Sequence, residues 1–461
     1  MRVKMSLWRR ILQGVTAFSA DTVISNLAAV LSTALVFRYL DVSAYGQLTL
    51  VLSFYGGATI FLDFGLRGLF TAEIARARGI GDWGWAKFLL TRYLWLNVVT
   101  GCIALVASLV LGRHWRDPLW AVVGVYLLTT ALNEVIGMLF HSYTRYRRLA
   151  AQSIVRSLSR LLLLVTLPLW WRGEMLLGVA LTYPLMDGVA LMVSFWLTRR
   201  TWTDLRRVST AKYSVASLTA LFRQQGVYMA LSVPIKRIAD QLPVWFLRVL
   251  IGEVAVGLYG AARRGFLLIY GLFNTLETTI FPLVSEQMAV DKERLQIALL
   301  QVQKYLFWLG VIAAIAGNLA AHWLIELVAG QEYLAAVSLF RVMLWLLVIY
   351  AFLQPQRPLF YALGQQKWLF LSYLFSAVGY ALALLVAITA LGPMGAVWAW
   401  LLYAALSVGT WMIILRKLGA REFIAPQKVF TIDGFDRRLW QSLQTQVLRW
   451  LGYSDVKTTK E

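Results

Sequence analysis

"SVPIKRIADQLPVWFLRVL", residues 232–250, places Lys236, Arg237, Asp240 and Arg248 around two prolines inside an otherwise apolar run. Either this stretch lies outside a membrane or its charges face something other than lipid. The rest of the chain decides which. It has 461 residues, 59% hydrophobic and 15% charged, with a mean hydropathy of +0.65. Soluble domains sit nearer 45–50% apolar and about 25% charged. The excess is gathered into runs of about 20 apolar residues, each long enough to cross about 30 Å of hydrocarbon.

Twelve candidate spans cover 14–38, 44–66, 88–111, 119–140, 153–170, 176–197, 226–250, 257–282, 304–327, 335–361, 369–390 and 395–415. The opening stretch is therefore span 7, and the chain reads as an all-α polytopic membrane protein. Six spans on each side of a basic connection give an N-terminal lobe over 1–197, a cytoplasmic linker over 198–225 with the form of a basic surface helix, and a C-terminal lobe over 226–415. The tail 416–461 contains "FDRRLWQSLQTQVLRWLG", whose Leu439, Leu443, Val447 and Trp450 fall at helical spacing, as in a surface helix. "MRVKMSLWRRILQG" at the N-terminus reads as an amphipathic lead-in rather than a cleaved signal peptide.

Charge orients the spans. Connections on one side hold 30 of the 44 Lys and Arg residues, and those on the other hold only Arg113, Arg116 and Arg172. Positive residues stay inside, which puts both termini in the cytoplasm of a bacterium and the protein in its inner membrane. The net charge of +21 then reflects topology and contact with anionic membrane lipids, and nucleic acid is not an expected partner. No outward connection exceeds seven residues, too short to carry the catalytic groups of a glycan polymerase or ligase, so an enzyme is not expected. Cys102 has no partner, and His114, His141 and His322 show no metal-ligand spacing. Neither a metal nor a cofactor is expected.

The two halves echo one another. In each, an acidic residue (Asp41, Glu253) precedes a Tyr-Gly pair (Tyr45-Gly46, Tyr259-Gly260) at the start of an inward span. Several stretches together resemble the Wzx-like oligosaccharide-lipid flippases, or polysaccharide exporters, of the MOP superfamily. They are "VSAYGQLTLVLSFYGGATIFLDFGLRGLFTAEIARARG" (42–79), "ADQLPVWFLRVLIGEVAVGLYGAARR" (239–264), "TTIFPLVSEQ" (278–287), "LVAGQEYLAAVSLFRVM" (327–343), "YALGQQKW" (361–368) and "LGPMGAVWAW" (391–400). The resemblance implies twelve transmembrane helices in two six-helix lobes around a central cavity of alternating access. It also implies a polyprenyl-pyrophosphate-linked oligosaccharide as cargo, and polysaccharide polymerase and export proteins as partners. Lipid II flippases of the same superfamily carry two more C-terminal spans, and nothing after residue 415 is long enough to supply them.

A charge at mid-bilayer costs roughly 2.5–3.5 kcal/mol and normally faces protein or water. Lys236 lies ten residues into span 7, about 15 Å deep at 1.5 Å per residue. The spans also carry Arg92, Arg156, Arg160, Arg248, Arg263, Arg264 and Arg341, and with Lys236 and Arg237 these are the expected cavity cations for a pyrophosphate, which Arg grips bidentately. Arg263 and Arg264 are adjacent, so one of them is expected to point inward. Pairs four apart, Lys236–Asp240 and Asp63–Arg67, suggest local ion pairs, and Glu134 is expected to find a partner across helices. Asp21, Glu134, Asp187 and Asp240 are the candidates for coupling to H⁺ or Na⁺, since burial favours protonation. Pro184, Pro234 and Pro243 are expected to kink their helices. The competing function is a cation-coupled multidrug antiporter of the MATE type.

Overall fold

A computed structural model describes residues 24–143, 145–206, 209–210, 213–222, 227–290, 292–353, 356–363, 365–423 and 430–431. Asp21, the N-terminal lead-in and the amphipathic segment of the tail lie outside these residues. The described chain is helical, without strands. Its main helices are α1 (Ile24–Tyr39), α2 (Val42–Asp63), α3 (Arg67–Gly79), α4 (Trp83–Trp115), α5 (Leu119–Ser142), α6 (Tyr146–Val165) and α7 (Met175–Arg206). The second half continues with α8 (Val227–Leu250), α9 (Glu253–Val290), α10 (Lys292–Ala329), α11 (Ala336–Leu353), α12 (Gln366–Leu391) and α13 (Pro393–Lys417).

Eight of them (α2, α4, α5, α7, α10, α11, α12 and α13) are long and apolar enough to cross a membrane, so the protein is polytopic. α1 is shorter within the described residues, while α6, α8 and α9 each carry several charges, among them Arg156, Arg160, Lys236, Arg237, Arg263 and Arg264. Within the described residues the expected spans are helical, but the ends differ. α4 starts at Trp83 and α9 runs on to Val290. The linker begins as a continuation of α7 to Arg206, followed by a short helix, Val215–Leu221. On α12, Phe375, Leu382 and Val386 are 76%, 62% and 68% exposed. An apolar helix that hides so little of itself in protein has lipid as its other neighbour.

Helix ends follow local chemistry. Asp41 caps α2 by accepting the Ala44 N–H at 2.7 Å, and Asp82 caps α4 by accepting that of Trp85 at 3.0 Å. Gly392, at φ 61°, ends α12, and Pro393 opens α13. Pro168 and Pro393 stand at helix starts, but α7 and α8 run without interruption through Pro184, Pro234 and Pro243. α2 instead breaks at Thr59 and ends at Phe64 and Gly65, both left-handed at φ 49° and 71°. α11 loosens at Leu344 and Trp345.

In the first half α4 packs on α5, α6 on α7, and α5 on α7; in the second, α12 packs on α13, α8 on α12, and α10 and α9 on α11. The halves meet chiefly where α2 lies along α9 and against α8. There the two Tyr-Gly pairs of the sequence echo come together. A Cβ on Gly46 would sit 2.1 Å from the Glu253 carbonyl, one on Gly257 2.1 Å from that of Val42, and one on Gly260 2.7 Å from Thr49 Oγ1. Backbone-close contact through small residues is how helices associate without a hydrophobic driving force between them. Glu253 reinforces this end, accepting from Gln47 Nε2 at 2.8 Å and Ser43 Oγ at 3.3 Å and pairing with Arg248 at 2.7 Å. The Tyr333 hydroxyl donates to the carbonyls of Leu40 and Asp41 at 2.9 and 3.0 Å, its ring against Phe37 and Tyr45. This is the sparsely charged end of the bundle, and it is closed.

Gly257→Val should therefore separate α2 from α9. In a Cys102→Ser background, Thr49→Cys is expected to resist a membrane-impermeant thiol reagent when Gly257 is present and to react when Gly257→Val is added. Equal labelling of both would show that the glycine contact does not hold this end shut.

Candidate functional site

The interior charges fall into three groups. The first is a cavity of about 270 Å³ inside the first half, lined by Arg67, Glu134 and Arg156 with Thr130, Asn133 and Gln152. Arg67 on α3 pairs with Glu134 on α5, and Arg156 on α6 pairs with Asp187 on α7. Asp187 is fully buried and also accepts from Thr130 Oγ1 at 2.7 Å, while Asn133 Nδ2 reaches its backbone carbonyl at 2.9 Å. Gln152 completes the chain by donating to Asn133 Oδ1 at 3.0 Å. Each cation here has its carboxylate, so the cavity is polar but neutral. Asp63 does not pair with Arg67: it accepts from the Gly65 N–H at 3.0 Å and the Tyr93 hydroxyl at 3.2 Å. The left-handed turn between them removes the helical register on which the expected pair depended.

The second group lies inside the second half. Lys236 and Asp240 on α8, Tyr270 on α9, Tyr350 on α11 and Tyr403 on α13 enclose a cavity of about 60 Å³, with Arg357 at its edge. That is room for a few water molecules. Lys236 and Asp240 share this space without forming the ion pair expected from their spacing. Arg263 points the same way, its guanidinium 5.9 Å from the Trp400 ring centre.

The third group is the seam between the halves. Arg160 on α6 and Arg264 on α9 lie here, the latter reaching across to α1 of the first half. Arg160 Nη2 donates to the Tyr183 hydroxyl at 2.7 Å and lies over that ring at 4.1 Å, and Arg264 Nε donates to Thr33 Oγ1 at 3.1 Å. Neither has a carboxylate partner among the described residues, and Arg160 Nε is buried without any protein acceptor. Arg264 sits one turn along α9 from Gly260, just beneath the closed end. Arg237 also reaches the seam, donating to the Thr59 carbonyl at the α2 break at 3.4 Å. Nearby, Trp245 Nε1 donates to Ser53 Oγ at 2.9 Å. On the other side of α2, Phe54, Phe61, Ile103 and Trp120 border an apolar groove of about 430 Å³.

Sequence reasoning thus found Arg156, Arg160, Lys236, Arg237, Arg263 and Arg264 as interior cations, but the structure divides them among three places. Both adjacent arginines, 263 and 264, face protein, one the second half and the other the seam. Arg248, Arg92 and Arg341 line neither cavity: Arg248 is held by Glu253 at the closed end, and Arg92 and Arg341 are exposed. Glu134 and Asp187 are ion-paired, whereas Asp240, like Asp63, has no ion pair among the described residues. Arg67 as a cavity residue and the tyrosines were missed. The Tyr350, Tyr373 and Tyr403 series, one on each of the last three helices, was the available signal.

These helices and their internal cavities define a membrane fold shared with transporters of the MOP superfamily. A multidrug resistance MATE family transporter in its inward-facing conformation superposes with a TM-score of 0.70 at 16% identity, over 89% of this chain and 98% of that one. An outward-facing counterpart gives 0.60 at 17% identity, over 88% and 97%. A MOP superfamily transporter from Pyrococcus furiosus, described as having a binding pocket of reverse polarity that suggests a different function, gives 0.61 at 16% identity, over 89% and 96%. No curated protein matches the sequence. Residues 11–288 match the polysaccharide biosynthesis protein family, more than half of the chain, and the protein belongs to that family.

Removing Asp187 tests the first cavity. Asp187→Ala leaves Arg156 without its counter-charge and should lower stability by about 2–3 kcal/mol, allowing for the partial exposure of the arginine. Thermal unfolding in detergent reads this. Adding Arg156→Met should recover much of the loss if the pair is structural.

Proposed function

We propose that this protein is a flippase for an anionic lipid-linked oligosaccharide, carrying it from the cytoplasmic to the periplasmic leaflet of the bacterial inner membrane for cell-surface polysaccharide synthesis. The observation that carries the reading is the Arg160–Arg264 pair. Arg160 of the first half and Arg264 of the second, which reaches across to Thr33, have hydroxyls and no carboxylate as partners among the described residues, an arrangement that repels an organic cation and favours a phosphate-type head group. Hydrogen bonds to charged groups contribute about 1.5–3 kcal/mol each, and planar guanidinium suits bidentate phosphate contact. The family match to polysaccharide biosynthesis proteins agrees with such a cargo. The apolar groove beside α2 is of the size that takes hydrocarbon.

In this reading the chain forms two six-helix lobes, 1–197 and 226–415, joined by the 198–225 linker, with both termini in the cytoplasm. The closed Gly46–Gly257 end is then the periplasmic gate of an inward-facing state, and alternation consists of parting α2 from α9 while the basic end closes. The polyprenyl pyrophosphate would meet Arg160 and Arg264 at the seam, with Arg237 on its path. The competing reading, a cation-coupled multidrug antiporter, has its support in the MATE transporters that share the fold and in Asp240, a cavity-lining acid without an ion pair among the described residues.

A depletion strain separates the two. Lipid-linked glycan accumulating in the cytoplasmic leaflet supports the flippase, whereas unchanged glycan with altered drug tolerance supports the antiporter. Arg160→Ala and Arg264→Ala should each lower glycan export roughly tenfold or more at normal protein levels, by loss of a charged hydrogen bond. Arg264→Lys, which keeps the charge but not the fork, should retain part of it. Full export by the double alanine variant would remove the seam from the transport path.

A further inference from the structure

Arg92 is left over by everything described so far. It stands nine residues into α4, about 14 Å from the start of that helix, exposed on the outside of the bundle. Its guanidinium lies 5.1 Å from the Phe88 ring centre, and among the described residues no carboxylate pairs with it. It lines an apolar groove of about 320 Å³ whose walls include Leu69 and Phe70 of α3, Leu96 of α4, and Leu218 and Phe222 at the short linker helix. That linker helix is fastened beside the groove: the Tyr213 hydroxyl donates to both carboxylate oxygens of Asp82 at 2.5 Å, and its ring packs 5.0 Å from that of Trp85. The hydrogen bond to Asp82 pushes the Tyr213 phenol above its ordinary pKa, so the donor stays protonated.

We propose that this groove is a binding site for one anionic phospholipid of the cytoplasmic leaflet, its phosphate on Arg92 and an acyl chain between α3, α4 and the linker helix. Three features select that occupant. The walls are apolar and open to the outside of a membrane-spanning helix, where the neighbour is lipid. The one charged residue lining the groove is Arg92, a cation without a carboxylate partner among the described residues; the other polar lining residue, Thr219, is neutral. The groove lies toward the basic end of the bundle, with Arg76, Arg78 and Lys87 nearby in the chain, and basic pockets on that side of a membrane attract anionic head groups. A zwitterionic lipid would bring its own ammonium and leave Arg92 less well satisfied. A bound lipid would touch both α4 and the linker helix, fixing the linker to the first half.

The test uses the full-length protein extracted from nanodiscs holding equal amounts of phosphatidylglycerol and phosphatidylethanolamine, with retained lipid read by native mass spectrometry. Wild type is expected to retain phosphatidylglycerol preferentially. Arg92→Gln should lower that preference about fivefold, the effect of one cation at a lipid surface, and Arg92→Lys should keep most of it. Leu96→Trp, which fills the groove, should lower retention of both lipids while leaving the charge in place. Unchanged preference in Arg92→Gln would mean that the arginine only snorkels to the surface, and would overturn the proposal. Equal retention of both lipids by wild type overturns it as well, as does displacement by glycerol phosphate alone.

Discussion

A charge inside hydrocarbon must find a counter-charge, a hydroxyl or water, and the interior of this protein is organised around that demand. In the first half it is met by carboxylates: Arg67 has Glu134 and Arg156 has Asp187. In the second half Lys236 and Asp240 share a small tyrosine-lined cavity with room for water. At the seam Arg160 and Arg264 have the hydroxyls of Tyr183 and Thr33, and Arg237 has the Thr59 carbonyl. The two halves therefore differ in polarity although they share an echo in sequence. What sits between them carries the unbalanced positive charge.

That asymmetry bears on how fold and function relate here. The superposition on MATE transporters speaks for the scaffold, at identities of 16–17%, and a scaffold hosts many cargoes. In the proposed reading cargo choice resides in what lines the seam. Two arginines from opposite halves without carboxylate partners are costly alone and become favourable once an anion joins them. In the proposed cycle such an anion would hold the halves together at the level of Arg264 while α2 and α9 rearrange above it.

The helices were legible in the sequence because long apolar runs and flanking basic residues report them directly. Which way each side chain faces was less legible, for reasons visible at particular residues. The Asp63–Arg67 spacing implies an ion pair only on a continuous helix, and the left-handed Phe64–Gly65 turn interrupts it. Arg263 and Arg264 were read against a single interior, yet α9 lies between two, so side chains 100° apart on the helix both find protein. The same holds on α8, where Lys236 and Asp240 look into the second half and Arg237 looks toward α2. Pro184, Pro234 and Pro243 do not end their helices, because a membrane helix can pass through proline when neighbours satisfy the freed carbonyl.

Tyr333 carries a consequence for energetics. Its hydroxyl is shared by two carbonyls of the α1–α2 turn, so a residue from near the chain's last third completes the hydrogen bonding of its first described helix. These carbonyls lie at the rim of the bundle, where water is the alternative donor. Exchanging a protein donor for water there changes the free energy by only about 1 kcal/mol per bond. In the proposed cycle, parting that end would cost little in hydrogen bonding, and the equilibrium between shut and parted forms would rest mainly on the van der Waals contact of Gly46 and Gly257. A balance this shallow can be tipped by a ligand with a modest difference in affinity for the two forms.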